Sequence, residues 1–341
     1  MSQPVPTTEE FPGLPPEYYQ PRQQPWFQFD GDGHWQEAAS ESAAAEDESA
    51  DWDSEPVQKV RVLTWNIDAM IPFDRPRMAA ALKHLESMVS SPPAPFTADT
   101  PAIILLQEMR ESDLDMIQET PWIQKGFTIT DVDSEHWPTS YGTTMLIDRR
   151  LTVANVFRVP WVSRFGRDGL FVDIHVPVAD DRSRRLLRVC NTHLESLPSD
   201  QPIRPKQVAA AAEHLHAPEV HGAVLAGDMN AIQPSDRHIA AENKFKDAYL
   251  ELGGVEDADE GFTWGYQCAE WMRLRFGCSR MDKVFYSGGF AARQLTRIGV
   301  DVRVEEEDVV RQMQQEGLGG WVTDHYGLMA ELEILPERGS T

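Results

Sequence analysis

The segment His221–Asn230 reads HGAVLAGDMN, and it indicates how the rest of the chain folds. Its apolar run Ala223–Ala226 predicts a short buried strand. Gly227 allows the backbone to turn as it leaves the sheet. Side chains of an extended chain alternate with a period of two, so Asp228 and Asn230 are expected to point to the same side. The segment predicts a carboxylate and an amide at a strand end, although an ordinary Asx turn uses the same residue types.

Other segments share this form, in which an apolar stretch ends in polar groups that suit a metal ion or a phosphate. Taken singly, each of them is also compatible with a helix cap, a turn or a half-buried histidine. Six in one chain, most of them at a strand end, favour a common site. Besides Gly227–Asn230, the segments are Thr64–Asp68 (TWNID), Leu106–Glu108 (LQE), Asn191–Glu195 (NTHLE), Arg280–Lys283 (RMDK) and Thr323–His325 (TDH).

The pattern of apolar residues predicts an α+β (α/β) fold. It begins with strand, helix and strand, and then runs through consecutive strands. Two mixed sheets packed face to face, with helices on both outer faces, form a four-layer α-β-β-α sandwich that accommodates this order. Helices are predicted at Pro76–Val89 and Pro205–Leu215. Strands are predicted at Val60–Asn66, Ala102–Leu106, Phe127–Asp131, Thr143–Asp148, Val153–Val159, Leu170–Val176, Leu186–Thr192, Met281–Tyr286 and Tyr326–Ile334.

The charge of the chain limits its possible partners. The 341 residues carry a net charge of −24. A protein this acidic does not bind nucleic acid by bulk electrostatic attraction, so contact with DNA requires a local basic patch or a metal ion. Clustered carboxylates are what a hard divalent cation needs.

Cysteine content and hydropathy bear on the compartment. The chain has three cysteines and no CxxC motif, which argues against a disulfide framework or a zinc site and suits a reducing environment. The N-terminus lacks the basic and apolar regions of a signal peptide, and no apolar run approaches the ~20 residues of a membrane span. We expect an intracellular protein without a membrane partner, located in the nucleus, the cytoplasm or both.

Residues 1–58 differ from the rest of the chain, and we expect the folded domain to span residues 59–336. Thirteen acidic residues and one basic residue give this tail a net charge of −12. Its Pro, Ser and acidic content predicts a largely disordered segment, above all over Glu37–Glu55. Six aromatic residues suggest docking on a protein partner or on the domain itself, unless they are scattered along a flexible arm. They are Tyr18, Tyr19, Trp26, Phe27, Phe29 and Trp35.

The motifs from about Lys59 to Ile334 resemble those of the endonuclease/exonuclease/phosphatase superfamily of Mg²⁺-dependent phosphoesterases. The matching residues are TWNID at 64–68, QE at 107–108, THLES at 192–196, GDxN at 227–230 and DH at 324–325. Together with FTW at 262–264, RMDKVFY at 280–286 and TDHYGL at 323–328, they look most like the type 2 group of 5′-tyrosyl-DNA phosphodiesterases. Enzymes of that group remove a trapped topoisomerase tyrosine from a DNA 5′ end.

The resemblance implies a role for each matching position. Glu108 corresponds to the principal Mg²⁺ ligand, with help from Asp68 or Asp324. Asp228 corresponds to the group that orients or deprotonates the attacking water. His325, oriented by Asp282, would donate to the developing charge on phosphorus. The remaining polar residues would hold the water or the phosphate, and they are Asn66, Asn230, His193 and Ser196. Mn²⁺ is a possible substitute for Mg²⁺.

Substrate recognition is expected to involve four further residues. Tyr141 and Arg167 match positions that face the phosphate or the scissile ligand in the tyrosyl-DNA group. Trp264 and Met281 match an apolar wall against the terminal bases, although both types are also common core residues. The arginine-rich stretch 182–188 fits a DNA-backbone patch or, more simply, a solvated hairpin.

These observations predict a monomeric Mg²⁺-dependent enzyme that hydrolyses the 5′-phosphotyrosyl bond of DNA adducts and leaves a 5′-phosphate for repair. An alternative is a phosphoesterase of the same superfamily with another substrate: an abasic-site endonuclease, a deadenylase, or a phosphatase of small or lipid phosphates. A binding module that has lost catalysis is a third possibility. The complete set of polar motif residues argues against it.

Overall fold

The computed structural model describes residues 14–38, 56–177, 184–198 and 202–336. Its strands are β1 Arg22–Gln23, β2 Phe27–Phe29, β3 Trp35–Glu37, β4 Lys59–Asn66, β5 Ala102–Met109, β6 Phe127–Ile129, β7 Gly142–Asp148, β8 Thr152–Pro160, β9 Asp168–Pro177, β10 Arg184–His193, β11 Val220–Asp228, β12 Lys246–Asp247, β13 Asp282–Gly288, β14 Phe290–Ile298 and β15 Gly327–Ile334. Its α-helices are α1 Asp74–Ser90, α2 Glu111–Glu119, α3 Pro121–Gly126, α4 Ile203–Leu215, α5 Ile239–Glu242, α6 Ala248–Glu251, α7 Glu270–Phe276 and α8 Glu307–Gln315.

The strands form two mixed sheets. The seven-stranded sheet has the order β1-β8-β9-β10-β11-β13-β12, and the eight-stranded sheet has the order β14-β15-β4-β5-β7-β6-β2-β3. In the first sheet β10 and β11 are parallel, and in the second β4 and β5 are parallel. The other pairings are antiparallel.

Apolar side chains on both faces of the central strands hold the layers together. On β5, Ile103 and Leu105 belong to the core between the sheets, whereas Ile104 and Leu106 pack with α1, α2 and α3 on the outer face. Burial on both faces explains the continuous apolar run of this strand. Helices α4 and α5 cover the other sheet through a third core. The four-layer α-β-β-α sandwich predicted from sequence is confirmed.

The predicted start of the folded domain at Lys59 is too late. Within residues 14–38, β1 pairs with β8 and β2 pairs with β6, so this N-terminal arm joins both sheets. Trp26 is buried in the core between the sheets, and Phe27 and Trp35 pack against the outer core. The aromatic residues therefore dock the arm on the domain itself. Most of the segment Glu37–Glu55, predicted to be disordered, lies outside the described residues.

The sequence analysis missed β14, α7 and α8. In β14 a register shift between Ala292 and Gln294 interrupts the alternation, and the strand lies at a sheet edge with half-exposed side chains.

The arginine-rich stretch includes the start of β10, where Arg188 is buried against Asp173. Among the described residues, no helix combines the length and apolarity needed to cross a bilayer.

Candidate active site

The predicted polar residues converge at one edge of the sandwich. The parallel strands β4 and β5 have Asn66 as the last and Glu108 as the second-to-last residue there, and β10 and β11 end there with His193 and Asp228. Strand β13 runs in the opposite direction, so its first residue, Asp282, pairs with the last residue of β11. His325 lies two residues before the start of β15. The two sheets thus bring the ends of six strands to one site.

Local backbone features aim these side chains. A register shift in β5 between Leu106 and Met109 forms a bulge that contains Glu108. Glu108, Asp68 and Asn230 all adopt positive φ angles, of 55°, 61° and 45°. Such angles are uncommon outside glycine and concentrate at functional sites.

Gly227 has a different role from the predicted turn. It lies within β11 with φ of 144°, and a Cβ added there would stand 1.8 Å from the carbonyl oxygen of Thr192. Close packing of β10 against β11 therefore requires glycine at this position.

Asp228 lies at the centre of the polar cluster. Its Oδ2 accepts a hydrogen bond from Nδ2 of Asn66 at 3.0 Å and lies 3.4 Å from Nε2 of His193. Its Oδ1 accepts from the backbone N–H of Asn230 at 2.8 Å. Asn66 also donates to Oε1 of Glu108 at 3.2 Å, so one amide bridges the two carboxylates.

His325 and Asp282 form a buried pair beside Asp228. Nδ1 of His325 lies 2.8 Å from Oδ2 of Asp282, and Nε2 of His325 faces Oδ2 of Asp228 at 3.7 Å, beyond hydrogen-bond distance. Burial by itself would lower the pKa of His325, but the carboxylates of Asp282 and Asp228 raise it well above its ordinary value. The imidazole is therefore a proton-bearing group held by one nitrogen and open at the other.

Negative charge is concentrated in this cluster. Burial raises the pKa of Glu108, with a further contribution from Asp68. Burial likewise raises the pKa of Asp68 to about 6, and Asp324 adds to this shift. The pKa values of Asp228 and Asp324 are also raised, first by burial. His193 shows the opposite effect, since burial holds its pKa well below the usual value and keeps it neutral.

The donor set fits a hard divalent cation. Ligand atoms of Glu108, His193 and Asp228 lie within 4.8 Å of one another, and so do those of Asp228, Asp282 and His325. The predicted ligands Asp68 and Asp324 belong to neither group, but both line the same cleft. A cation would compensate the charge that raises the carboxyl pKa values, and Mg²⁺ uses one or two carboxylates plus waters.

The predicted phosphate-side residues connect to the cluster through hydrogen bonds. Nη2 of Arg167 donates to Oγ of Ser196 at 2.9 Å, and Nδ2 of Asn230 lies 3.4 Å from the same oxygen. The guanidinium of Arg167 stacks over the ring of Tyr141 at 5.4 Å. Both residues line a small depression together with His193.

The cluster forms the floor of a cleft of about 890 Å³. Trp264 and Met281 line it as predicted, although Trp264 is only 7% exposed and its Nε1 donates to Oδ2 of Asp324 at 2.7 Å. Trp264 therefore also fixes a carboxylate of the site. Apolar side chains of α7 extend the wall, with Phe276 lining the cleft.

Two supporting residues were not predicted as site residues. Nε2 of Gln107 donates to Oδ1 of Asn191 at 2.7 Å and so links the two sheets directly under the cluster. Glu195 accepts from Oγ of Ser163 and from the backbone N–H of Arg164, which anchors the loop before Arg167. Both lie in the motif segments QE and THLES, and that position was the available signal.

The four-layer fold and a buried group of carboxylates, histidines and amides in a cleft define a hydrolase of phosphoester bonds. A sequence profile of the Endonuclease/Exonuclease/phosphatase family matches residues 63–325. The chain belongs to this family, whose members are generally metal-dependent phosphoesterases, and the predicted enzyme class is confirmed. Comparison with curated proteins found no match.

Several solved structures share the fold at low sequence identity. TDP2 from Caenorhabditis elegans has a TM-score of 0.58 at 20% identity, with 81% of this chain and 74% of that chain covered. D. rerio TDP2 complexed with single strand DNA product has a TM-score of 0.56 at 15% identity, with 80% and 98% covered. The human nocturnin catalytic domain with bound sulfate has a TM-score of 0.54 at 15% identity, with 82% and 96% covered.

Proposed function

We propose that this enzyme hydrolyses the 5′-phosphotyrosyl bond between DNA and a trapped protein tyrosine, with Mg²⁺ as its cofactor. One observation carries the proposal. The catalytic cluster lies in the cleft whose wall includes Trp264 and Met281, and its His193 also lines the adjoining depression that contains Arg167 and Tyr141. Such a cleft suits a DNA end, whose terminal base stacks on one side while its phosphate is held on the other. The similarity to TDP2 structures supports the same substrate class.

Glu108 is the residue we expect to hold the cation, with Asp68 or Asp324 contacting it directly or through water. Mg²⁺ fits the oxygen-rich donor set, and Mn²⁺ is a plausible substitute because it also accepts carboxylate and water ligands. When bound, the cation would neutralise charge on the phosphate and on the leaving oxygen.

Asp228 is the proposed group that orients the attacking water and accepts its proton. Its Oδ2 is the atom toward which Asn66, His193 and His325 converge, at 3.0, 3.4 and 3.7 Å. Burial raises the pKa of Asp228, which makes its carboxylate a stronger base than an exposed aspartate. Asn66 would hold the carboxylate in place as a neutral donor.

His325 is the proposed donor to the charge that develops on phosphorus. Its Nδ1 is held by Asp282, which fixes the ring and stabilises the imidazolium form. Its Nε2 is then free to donate to a non-bridging oxygen, with Asn230 and neutral His193 as further contacts. A tyrosine leaving group needs little protonation, since the phenol pKa is about 10.

The test is cleavage of a 5′-phosphotyrosyl oligonucleotide with Mg²⁺ and with EDTA. A 3′-phosphotyrosyl oligonucleotide and an abasic duplex serve as comparison substrates. We expect Mg²⁺-dependent release of a 5′-phosphate end from the first substrate only. Cleavage of the abasic duplex instead, or of none of the three, contradicts the proposed substrate.

A second candidate is another phosphoester substrate within the family. The comparable TM-score of nocturnin, 0.54, favours testing RNA and small phosphate esters beside DNA adducts. A higher kcat/KM on one of these would replace the tyrosyl-DNA assignment and leave the cation and the roles of Asp228 and His325 in place.

A further inference from the structure

A buried arginine joins the two sheets away from the catalytic carboxylates. Arg158 on β8 is 3% exposed. Its Nε donates to Oε1 of Gln24 at 2.7 Å, and its Nη1 donates to Oγ1 of Thr143 and Oδ2 of Asp168 at 3.0 and 3.1 Å. Its Nη2 donates to Oδ1 of Asp131 and to the carbonyl oxygen of Thr143 at 2.9 and 2.7 Å. All five N–H groups of the guanidinium are bonded.

These five residues, which we name the Arg158 cluster, come from three parts of the chain. Thr143 is the second residue of β7 and Asp131 lies two residues after β6 in the eight-stranded sheet, whereas Arg158 and Asp168 belong to the seven-stranded sheet. Gln24 comes from the N-terminal arm, and its Nε2 donates to the carbonyl oxygen of Thr130 at 2.8 Å. Through Oε1 of Gln24, the arm therefore supplies the acceptor for the Nε–H group of Arg158.

The Arg158 cluster adjoins both polar residues of the proposed substrate side. Asp168 directly follows Arg167, and Thr143 lies two residues after Tyr141. The ring of Tyr141 and the guanidinium of Arg167 stack on each other, and Arg167 reaches Ser196. The cluster fixes the starts of β7 and β9, and Tyr141 and Arg167 directly precede these two strands.

We propose that Gln24 and Arg158 are positioning residues for substrate binding. They hold the two strand starts at one spacing, so that Arg167 and Tyr141 meet the phosphate-bearing substrate as a preformed pair. The inference rests on the proposed function for the identity of that substrate. The N-terminal arm then contributes to substrate binding, because Gln24 is one of the hydrogen-bond acceptors of Arg158. Small misplacements of contact groups are costly, with losses up to about a hundredfold for 1 Å.

The test uses Gln24, because removal of Arg158 would leave two buried carboxylates unpaired and threaten folding. Gln24→Met keeps the side-chain length and removes all three side-chain hydrogen bonds of Gln24, which join it to Arg158, Thr130 and Asp131. Gln28→Met is the matched control, since Gln28 lies on the same arm and donates to Oγ1 of Thr128 at 3.1 Å, outside the cluster.

For Gln24→Met we expect KM for the 5′-phosphotyrosyl oligonucleotide to rise about tenfold or more, with kcat within about threefold of wild type. Gln28→Met should match wild type in both. A lower melting temperature of Gln24→Met with unchanged KM overturns the proposal, because a merely structural role predicts that result.

Hydrogen exchange without substrate separates this inference from the proposed function. Amides of residues 139–143 and 164–168 should exchange faster in Gln24→Met and at the wild-type rate in Gln28→Met. If the oligonucleotide is not cleaved by wild type, the proposed substrate fails while the exchange result still decides the positioning role. Equal exchange in these segments for Gln24→Met and wild type contradicts it.

Discussion

Two buried charged groups in this molecule are built in opposite ways. In the Arg158 cluster, one guanidinium and two carboxylates are joined by hydrogen bonds that use every N–H of the arginine. In the catalytic cluster, Glu108 and Asp228 accept hydrogen bonds from the neutral amide of Asn66. In the described part of the chain, no lysine or arginine side chain is hydrogen-bonded to Glu108 or Asp228.

The difference indicates that the Arg158 cluster supports the fold, whereas the catalytic cluster is suited to bind a ligand. In the Arg158 cluster, burial opposes ionisation and raises the pKa of Asp168, but Arg158 counters this shift, and Asp131 and Asp168 raise the pKa of Arg158. In the catalytic cluster, burial and neighbouring carboxylates raise the pKa of Asp68 and Glu108, so charge there is unfavourable in the free protein. A site that keeps such a surplus of negative charge is expected to bind a cation.

The largest expected effect is a loss of kcat on substitution in the catalytic cluster. Asp228→Asn removes the proposed proton acceptor and should lower kcat by between about 10²- and 10⁴-fold. Its thermal stability should be unchanged or higher, because the variant removes one buried negative charge. Asp131→Asn in the Arg158 cluster is the matched control and should keep kcat within about an order of magnitude. Steady-state kinetics and thermal melts measure these effects. A similar loss of kcat in both variants would contradict the proposed difference between the two clusters.

The next largest effect is a loss of stability on substitution in the Arg158 cluster. Arg158→Met leaves Asp131 and Asp168 buried without a cation and should lower the free energy of unfolding by about 3–5 kcal/mol. Urea denaturation of the metal-free protein measures this loss. A loss below about 1 kcal/mol would mean that the cluster contributes little to the fold.

A smaller effect concerns the pH dependence of metal-free stability. Burial raises the folded-state pKa of Asp68 to about 6, so the folded protein binds this proton more tightly than the unfolded chain. The resulting stabilisation is full below pH 4, is lost as pH rises to about 6, and is worth about 3 kcal/mol. Burial raises the pKa of Asp113 to about 6 as well, and the raised pKa values of Glu108, Asp228 and Asp324 add contributions of the same sign.

Asp68→Asn isolates the contribution of Asp68 to this pH dependence. Its stability should fall less than that of wild type between pH 4 and pH 6, and the remaining slope should come from Asp113 and the other buried carboxyl groups with raised pKa values. Urea titrations at four or five pH values measure the slopes. Identical slopes for wild type and Asp68→Asn would show that Asp68 titrates normally.

The place where the predicted polar residues lie together could be predicted from the sequence because strand ends are local signals. Apolar runs that stop at Asn66, Glu108, His193 and Asp228 follow from periodicity, and the edge at which they meet follows from the pairing of parallel strands. The role of Gly227 could not be read in this way, because it depends on the carbonyl of Thr192 in another strand.

The N-terminal arm was mispredicted for a related reason. Its strands are two or three residues long, too short for a periodic signal, and its composition resembles that of a disordered segment. Only the tertiary contacts of Trp26 and Gln24 reveal that it belongs to the domain. The α7 wall was missed because a seven-residue helix carries little periodic pattern.

The most direct test of the central claim is calorimetric titration of the metal-free protein with Mg²⁺ alone. If the surplus charge of the catalytic cluster is retained for a cation, wild type and Asp131→Asn should bind Mg²⁺ with similar affinity, and Glu108→Gln should lose most of it. Equal binding by wild type and Glu108→Gln, or absence of binding by wild type at millimolar Mg²⁺, would contradict the account.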